Sequence, residues 1–133
     1  MAVFLDTSAV FAFFDADDDH HAAAVESLRR LGRRAETLVT HNYVLLETSA
    51  LIQRRLGWDA LHDFFEAVVP LVMIVWIDGN LHNAAAAALL TAGKRRLSLV
   101  DCASFEVMRR TGVRTFFAFD PHFEEMGFAP FER

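Results

Sequence analysis

The 133-residue chain predicts an α/β fold, a parallel sheet of four to five strands covered on both sides by helices that cross over in the right-handed sense. Three observations predict it. Short apolar runs rich in β-branched residues alternate with stretches of helical periodicity. Acidic residues stand directly after the first and last of those runs. No repeat, linker or low-complexity stretch interrupts the pattern, so residues 1–133 are expected to form one domain.

Val3 to Leu5, closed by Asp6-Thr7-Ser8, predicts a buried strand passing directly into a helix over Ser8 to Phe14. An acidic turn, Asp15 to Asp19, offers Asp18 or Asp19 as an N-cap for the next helix. There Val25, Leu28 and Leu31 recur at helical spacing and Gly32 supplies a C-cap. Thr37 to Val39 predicts a second strand, and from His41 the positions Val44, Thr48, Leu51 and Ile52 mark an amphipathic helix ending near Gly57. Trp58 to Val68 continues as a helix stopped by Pro70. Leu71 to Ile77, apolar throughout, is expected to be a strand covered on both faces. Asn80 to Thr91 holds five consecutive Ala before Gly93 and predicts a helix that lets another backbone come close. Ser98 to Arg110 is the next helix, with Gly112 after it, and Val113 to Phe119 a fourth strand ending at Asp120-Pro121. Phe123 to Phe131 is expected to give a helical turn and a short edge segment.

Composition narrows the function. Thirteen Lys and Arg against 18 Asp and Glu leave a net charge of −5, so a polybasic mode of nucleic-acid binding is excluded and any such binding needs local basic groups or bound cations. The longest apolar run, Val68 to Ile77, is about half of the ~20 residues that span a membrane. The start of the chain lacks the basic leader of a signal peptide, and the single Cys102 has no internal disulfide partner, so a reducing cytoplasm is the expected setting.

Four acids carry the chemistry. Asp6 follows the first strand and Asp120 the fourth, and in an open parallel sheet ligands gather beyond the carboxyl ends of strands. Asp101 lies in the first turn of its helix, and Glu47 lies inside the helix after the second strand, flanked at helical spacing by Val44 and Leu51 at the margin of an apolar face. A charge buried there is costly unless paired. Three of these acids also fit helix caps: Asp6 as an N-cap, Ser98 with Asp101 as a capping box, Asp120 before Pro121. If the four converge, carboxylates ~4 Å apart repel by about 4 kcal/mol at an effective dielectric of 20, so they need protons or cations. Oxygen ligands select Mg²⁺ or Mn²⁺ over zinc, and such an ion polarises a phosphoryl oxygen and activates water for phosphodiester hydrolysis.

Val3-Phe4-Leu5-Asp6-Thr7-Ser8, Glu47 in a helix after the second strand, Leu99-Val100-Asp101 opening a later helix, and Phe119-Asp120-Pro121-His122-Phe123 together resemble a PIN domain. Length and tail resemble the VapC toxins of toxin–antitoxin pairs within that family. The resemblance implies a three-layer α/β/α domain and a Mg²⁺- or Mn²⁺-dependent ribonuclease that leaves a 5′ phosphate and a 3′ hydroxyl. Asp6 and Asp101 would be direct ligands, Glu47 would bind metal or orient the attacking water, Asp120 would bind a second ion or act through water, and the hydroxyl of Thr7 or Ser8 would assist the metal shell. It also implies a homodimer and a small VapB-like antitoxin that occludes the site. Some family members carry a further acid two positions beyond the last, where this chain has His122, which argues against a full second metal site.

Asp15, Asp17, Asp19 and Glu26 match part of a calcium-loop template, but His20 stands where that loop needs Gly. Most arginine doublets fall at helix C-termini and complement the dipole, whereas Lys94-Arg95-Arg96, ahead of the Asp101 helix, could hold an RNA phosphate. The scattered His and lone Cys do not form a zinc pattern. Phe123, Phe128 and Phe131 are candidates for a dimer or antitoxin face. Three other functions fit the same class of fold: an RNA-processing nuclease without an antitoxin, a catalytically silent binding module, and a phosphoacceptor receiver. The receiver needs paired acids at the first strand and a late lysine, and this chain has Leu5-Asp6 and only Lys94.

Overall fold

The computed structural model describes residues 1–131. Five parallel strands, β1 (Ala2–Leu5), β2 (Thr37–His41), β3 (Val72–Val75), β4 (Thr115–Phe117) and β5 (Ala129–Pro130), lie in the order β3-β2-β1-β4-β5. Between them run α1 (Thr7–Phe14), α2 (His21–Arg33), α3 (Asn42–Arg55), α4 (Trp58–Asp63), α5 (Gly79–Ala92), α6 (Leu99–Thr111) and α7 (His122–Glu125). The two-residue alternation of the strands sorts side chains onto two cores, one per face. Val3, Leu5 and Phe117 pack with α1 and α2, while Phe4, Val39 and Phe116 pack with α6. Three layers result. Among the described residues no helix is long and apolar enough to cross a membrane.

The strand order grows from β1 in one direction through β2 and β3, then returns to place β4 on the other side of β1. That reversal opens a crevice beyond the carboxyl ends of β1 and β4, the usual ligand position in such sheets. The Asp6 backbone N–H donates to the Phe117 carbonyl (3.1 Å), so the β1–β4 ladder continues to the lip of the crevice.

Several expectations need correction. β3 is an edge strand, with Met73 59% exposed, because β2 is its one neighbour; its apolar run does not mean two covered faces. Gly32 lies inside α2, which runs on to Arg33, and α2 begins after His20 without a side-chain cap. Asp18 instead accepts the His20 N–H at 2.8 Å within the preceding turn. Pro70 does not stop a regular helix: α4 passes through a π-helical turn (Phe64–Val68) into a 3₁₀ turn (Val69–Leu71), where Pro needs no hydrogen bond of its own. Phe123, Phe128 and Phe131 form no exposed face. Phe123 is fully buried against the rings of Phe4, Phe105 and Phe116, Phe131 is buried, and Phe128 stacks on Phe105. The exposed large apolar residues are elsewhere, among them Leu46, Trp58, Leu71, Trp76 and Leu90. Glu26 pairs with Arg29 and Arg30 on α2, away from any calcium loop.

The helix boundaries that position the acids were correctly expected. Ser98 and Asp101 form the reciprocal capping box of α6, and Gly93 and Gly112 end α5 and α6 in the left-handed region, at φ 59° and 75°. The small face of α5 packs Ala85 against Cys102 and Ala103 of α6. This brings the two helices close enough to set the height of Asp101.

Candidate active site

Asp6, Glu47, Asp101 and Asp120 line one cleft of about 560 Å³, together with Thr7, Ser8, Arg54, Arg96 and Ser98. The acids arrive from four separate segments: the end of β1, the middle of α3, the first turn of α6 and the loop after β4. Asp6 and Asp101 are held by the caps that the sequence suggested; Asp120 is not the N-cap expected ahead of Pro121, because Pro121 itself takes that position and α7 begins at His122. Asp6 Oδ2 accepts the Ser8 N–H (3.2 Å) and hydroxyl (2.8 Å), Asp101 Oδ2 accepts the Ser98 N–H (3.0 Å), and Asp120 Oδ1 accepts the His122 N–H (2.8 Å). For Asp6 and Asp101 the capping role and the site role coincide, and a turn bond two residues on does the same for Asp120: each fixes one oxygen and orients the other. Asp6 Oδ1, Asp101 Oδ1 and Asp120 Oδ2 accept no hydrogen bond from the described residues.

Glu47 differs from expectation. It is exposed, and the argument from a buried, costly charge does not apply to it. Its helical neighbour Val44 is buried, but the side chain of Glu47 faces the mouth of the cleft instead.

Electrostatics agree with crowding. Burial, reinforced by the charges of Asp101 and Asp120, pushes the Asp6 carboxyl up to about 6, against the lowering effect of its bonds from Ser8. Asp101 is raised in the same way, by burial first and by Asp120. Ligand atoms of Asp101, Asp120 and His122 lie within 4.8 Å of one another. His122 Nδ1 is 2.8 Å from Asp120 Oδ1 and 3.8 Å from Asp101 Oδ2. It is buried without a hydrogen bond, since the close approach to Asp120 has the wrong direction for one. Raised carboxyls and an orphaned nitrogen fit a site that a divalent cation completes.

The two hydroxyls are engaged with protein. Ser8 Oγ donates to Asp6 and accepts the Phe119 N–H at 2.9 Å, and Thr7 Oγ1 accepts the Thr48 hydroxyl at 3.0 Å. Of the basic triplet, Arg96 borders the acid cleft, Lys94 lines a separate small cavity beside Cys102, and Arg95 borders neither. Sequence reading missed Arg54, taken for a helix-terminal cation. It lies seven residues after Glu47, two helical turns along the same face, which is the signal that could have found it. His122 was also missed as a participant, although its place two residues after Asp120 allows the turn that brings its ring back over the acids.

With this geometry the similarity to known proteins can be weighed. The PIN domain family matches residues 3–129. The chain belongs to the PIN-domain family. This PIN domain is 33% identical over 129 residues to the 23S rRNA-specific endonuclease VapC20 of Mycobacterium tuberculosis, across 95% of each chain. It is 30% identical over 123 residues to ribonuclease VapC26 of the same organism, across 87% of this chain and 84% of that one. The crystal structure of Mycobacterium tuberculosis VapC20, a Sarcin-Ricin loop cleaving toxin, superposes with a TM-score of 0.81 at 32% identity over 96% of both chains. VapBC2 of Rickettsia felis, solved with a promoter DNA fragment, gives 0.71 at 12% identity over 98% of this chain and 97% of that one, a likeness of fold. Membership of this PIN family removes the receiver reading.

Proposed function

We propose that this chain is a metal-dependent endoribonuclease and the toxin of a toxin–antitoxin pair. The observation that carries the reading is the meeting of Asp6, Glu47, Asp101 and Asp120, from four distant segments, in one cleft edged by Arg54 and Arg96. Similarity along nearly the whole chain to a 23S rRNA-specific endonuclease that is also a toxin supports the substrate class and the antitoxin partner.

Asp6, Asp101 and Asp120 would hold Mg²⁺ or Mn²⁺, with Glu47 at the cleft mouth holding the ion or orienting the attacking water. Once bound, the ion supplies Lewis-acid polarisation of the scissile phosphate and a more acidic water. The remaining steps belong to the protein. Arg54 and Arg96 position flanking phosphates by charge-assisted hydrogen bonds and offset the net charge of −5 that repels RNA elsewhere. Ser8 and Thr7 position Asp6 and the start of α1 through their own hydrogen bonds. Water attacks in line, and the cut leaves a 5′ phosphate and a 3′ hydroxyl. We further propose one domain over residues 1–133, a cytoplasmic setting, and a homodimer, for which the exposed Leu46, Leu71, Trp76 and Leu90 supply apolar surface.

The test uses the purified, antitoxin-free chain and total RNA, with Mg²⁺ or Mn²⁺ or with chelator, and maps the cut ends. Discrete cuts that need metal and fall at least about 100-fold in Asp6→Asn are expected, as for loss of a principal charge-stabilising group. Sedimentation of the same sample should give a dimer mass. Metal-independent cuts, or full activity in Asp6→Asn, would refute the assignment; no cleavage together with no Mn²⁺ binding would favour a silent binding module.

A further inference from the structure

We infer that His122 is a nitrogen ligand of the metal site, completing a mixed carboxylate–imidazole centre with Asp101 and Asp120 that prefers Mn²⁺ to Mg²⁺. This rests on the metal-site reading above and deepens it. Two atoms bound to one ion at ~2.1 Å and at right angles lie ~3.0 Å apart, and opposite ligands ~4.2 Å apart. The separations of 2.8 Å and 3.8 Å run from His122 Nδ1 to Asp120 Oδ1 and Asp101 Oδ2, the oxygens that each accept one backbone N–H and keep a second lone pair, and they fall around those values, so little movement is needed to share an ion.

An ion pair between His122 and Asp120 explains the geometry less well. Asp120 Oδ1 already accepts the backbone N–H of His122, and the ring nitrogen, though close, makes no hydrogen bond and is cut off from solvent. A buried nitrogen of this kind is rare in folded proteins unless something absent from the protein itself satisfies it. Its lone pair beside two carboxylates is what a cation lacks in an all-oxygen set. Imidazole is a softer donor than carboxylate, and Mg²⁺ is the harder and more strictly oxygen-seeking ion, so the nitrogen shifts preference toward a transition ion.

The experiment loads the full chain with Mn²⁺ alone and records electron spin echo envelope modulation. Wild type should show ¹⁴N coupling of a directly bound imidazole, replaced by ¹⁵N coupling when the histidines are ¹⁵N-labelled. His122→Asn should lose that coupling and weaken Mn²⁺ about 10-fold or more, a lower bound taken from losses of outer partners, while Mg²⁺ binding changes less. His20→Gln is the control, because the His20 ring stacks on Phe119 next to Asp120 and is the competing source of nitrogen. Mn²⁺ bound without nitrogen coupling in the labelled wild type overturns the inference and leaves the nuclease reading standing. Coupling that survives in His122→Asn and vanishes in His20→Gln overturns it equally. Failure of wild type to bind Mn²⁺ at all overturns both.

Discussion

Ser8 uses one hydroxyl for two purposes. It donates to Asp6 Oδ2 and accepts the Phe119 N–H, so it ties the carboxylate after β1 to the loop that carries Asp120. Because its hydroxyl bond lowers the Asp6 carboxyl, removing that bond drives the group further up, with the backbone N–H bond of residue 8 retained. Ser8→Ala is therefore expected to weaken Mn²⁺ binding at neutral pH by about 10–100-fold, the range for lost outer-shell partners. The pH at which binding is half-lost should also move upward. Calorimetric titration across pH checks both, and Ser8→Thr, which keeps a hydroxyl, should restore them. A change in affinity without a shift in its pH midpoint would mean that Ser8 serves packing alone.

At the scale of elements, a buried histidine joins the helices that carry Glu47 and Asp101. His41 Nδ1 accepts the N–H groups of Tyr43 and Val44 and so caps α3, while Nε2 donates to Ser104 Oγ on α6 at 2.8 Å. The Ser104 hydroxyl in turn donates a hydrogen bond to the Val100 carbonyl. Burial lowers the imidazole to about 4, so it remains neutral and keeps the tautomer that serves both ends. His41→Ala removes a cap and leaves a cavity, for an expected loss of about 2–4 kcal/mol in urea unfolding; His41→Asn, a good capping residue, should recover about 1 kcal/mol of it.

Local rules made most of these elements legible. The strand-to-helix junction at Leu5-Asp6, the capping box at Ser98, and the glycines at 93 and 112 are chemistry of adjacent residues, and the structure has them where expected. What escaped depends on neighbours in space. The edge position of β3 follows from strand order, which hydropathy does not encode. The exposure of Glu47 follows from how α3 is rolled on the sheet, and the burial of Phe123 from three rings distant along the chain. The four acids were found because strand ends share an edge in any parallel sheet. Arg54 and His122 were not, because they reach the cleft by side-chain direction.

For the whole molecule, the raised Asp6 and Asp101 and the depressed His41 make opposing contributions to stability against pH. Asp6, raised in the folded state, favours the fold below its unfolded value near 4, and that contribution is lost as pH rises through about 6. His41, depressed to about 4, favours the fold above ~6.5 and loses its contribution as pH falls toward 4. In the metal-free chain the two carboxyls and the imidazole should therefore offset one another in part between pH 4 and 6.5. A cation binds the ionised carboxylates of Asp6 and Asp101 and so competes with their protons. The rise in Tm on adding Mn²⁺ is thus expected to be small at pH 5 and to grow through pH 6 to 7. Thermal scans with and without the ion measure the difference directly, and an increment independent of pH would contradict the role of these carboxyls.

The crevice between β1 and β4 has a consequence for biosynthesis. Asp6, Glu47 and Asp101 are synthesised before Phe116 and Phe117, which dock beside Phe4 and Leu5, and Asp120 reaches its companions only through that docking. Incomplete nascent chains thus carry most of the ingredients of an RNA-cutting centre without the centre itself. The docking of β4 beside β1 is also the step that arms it.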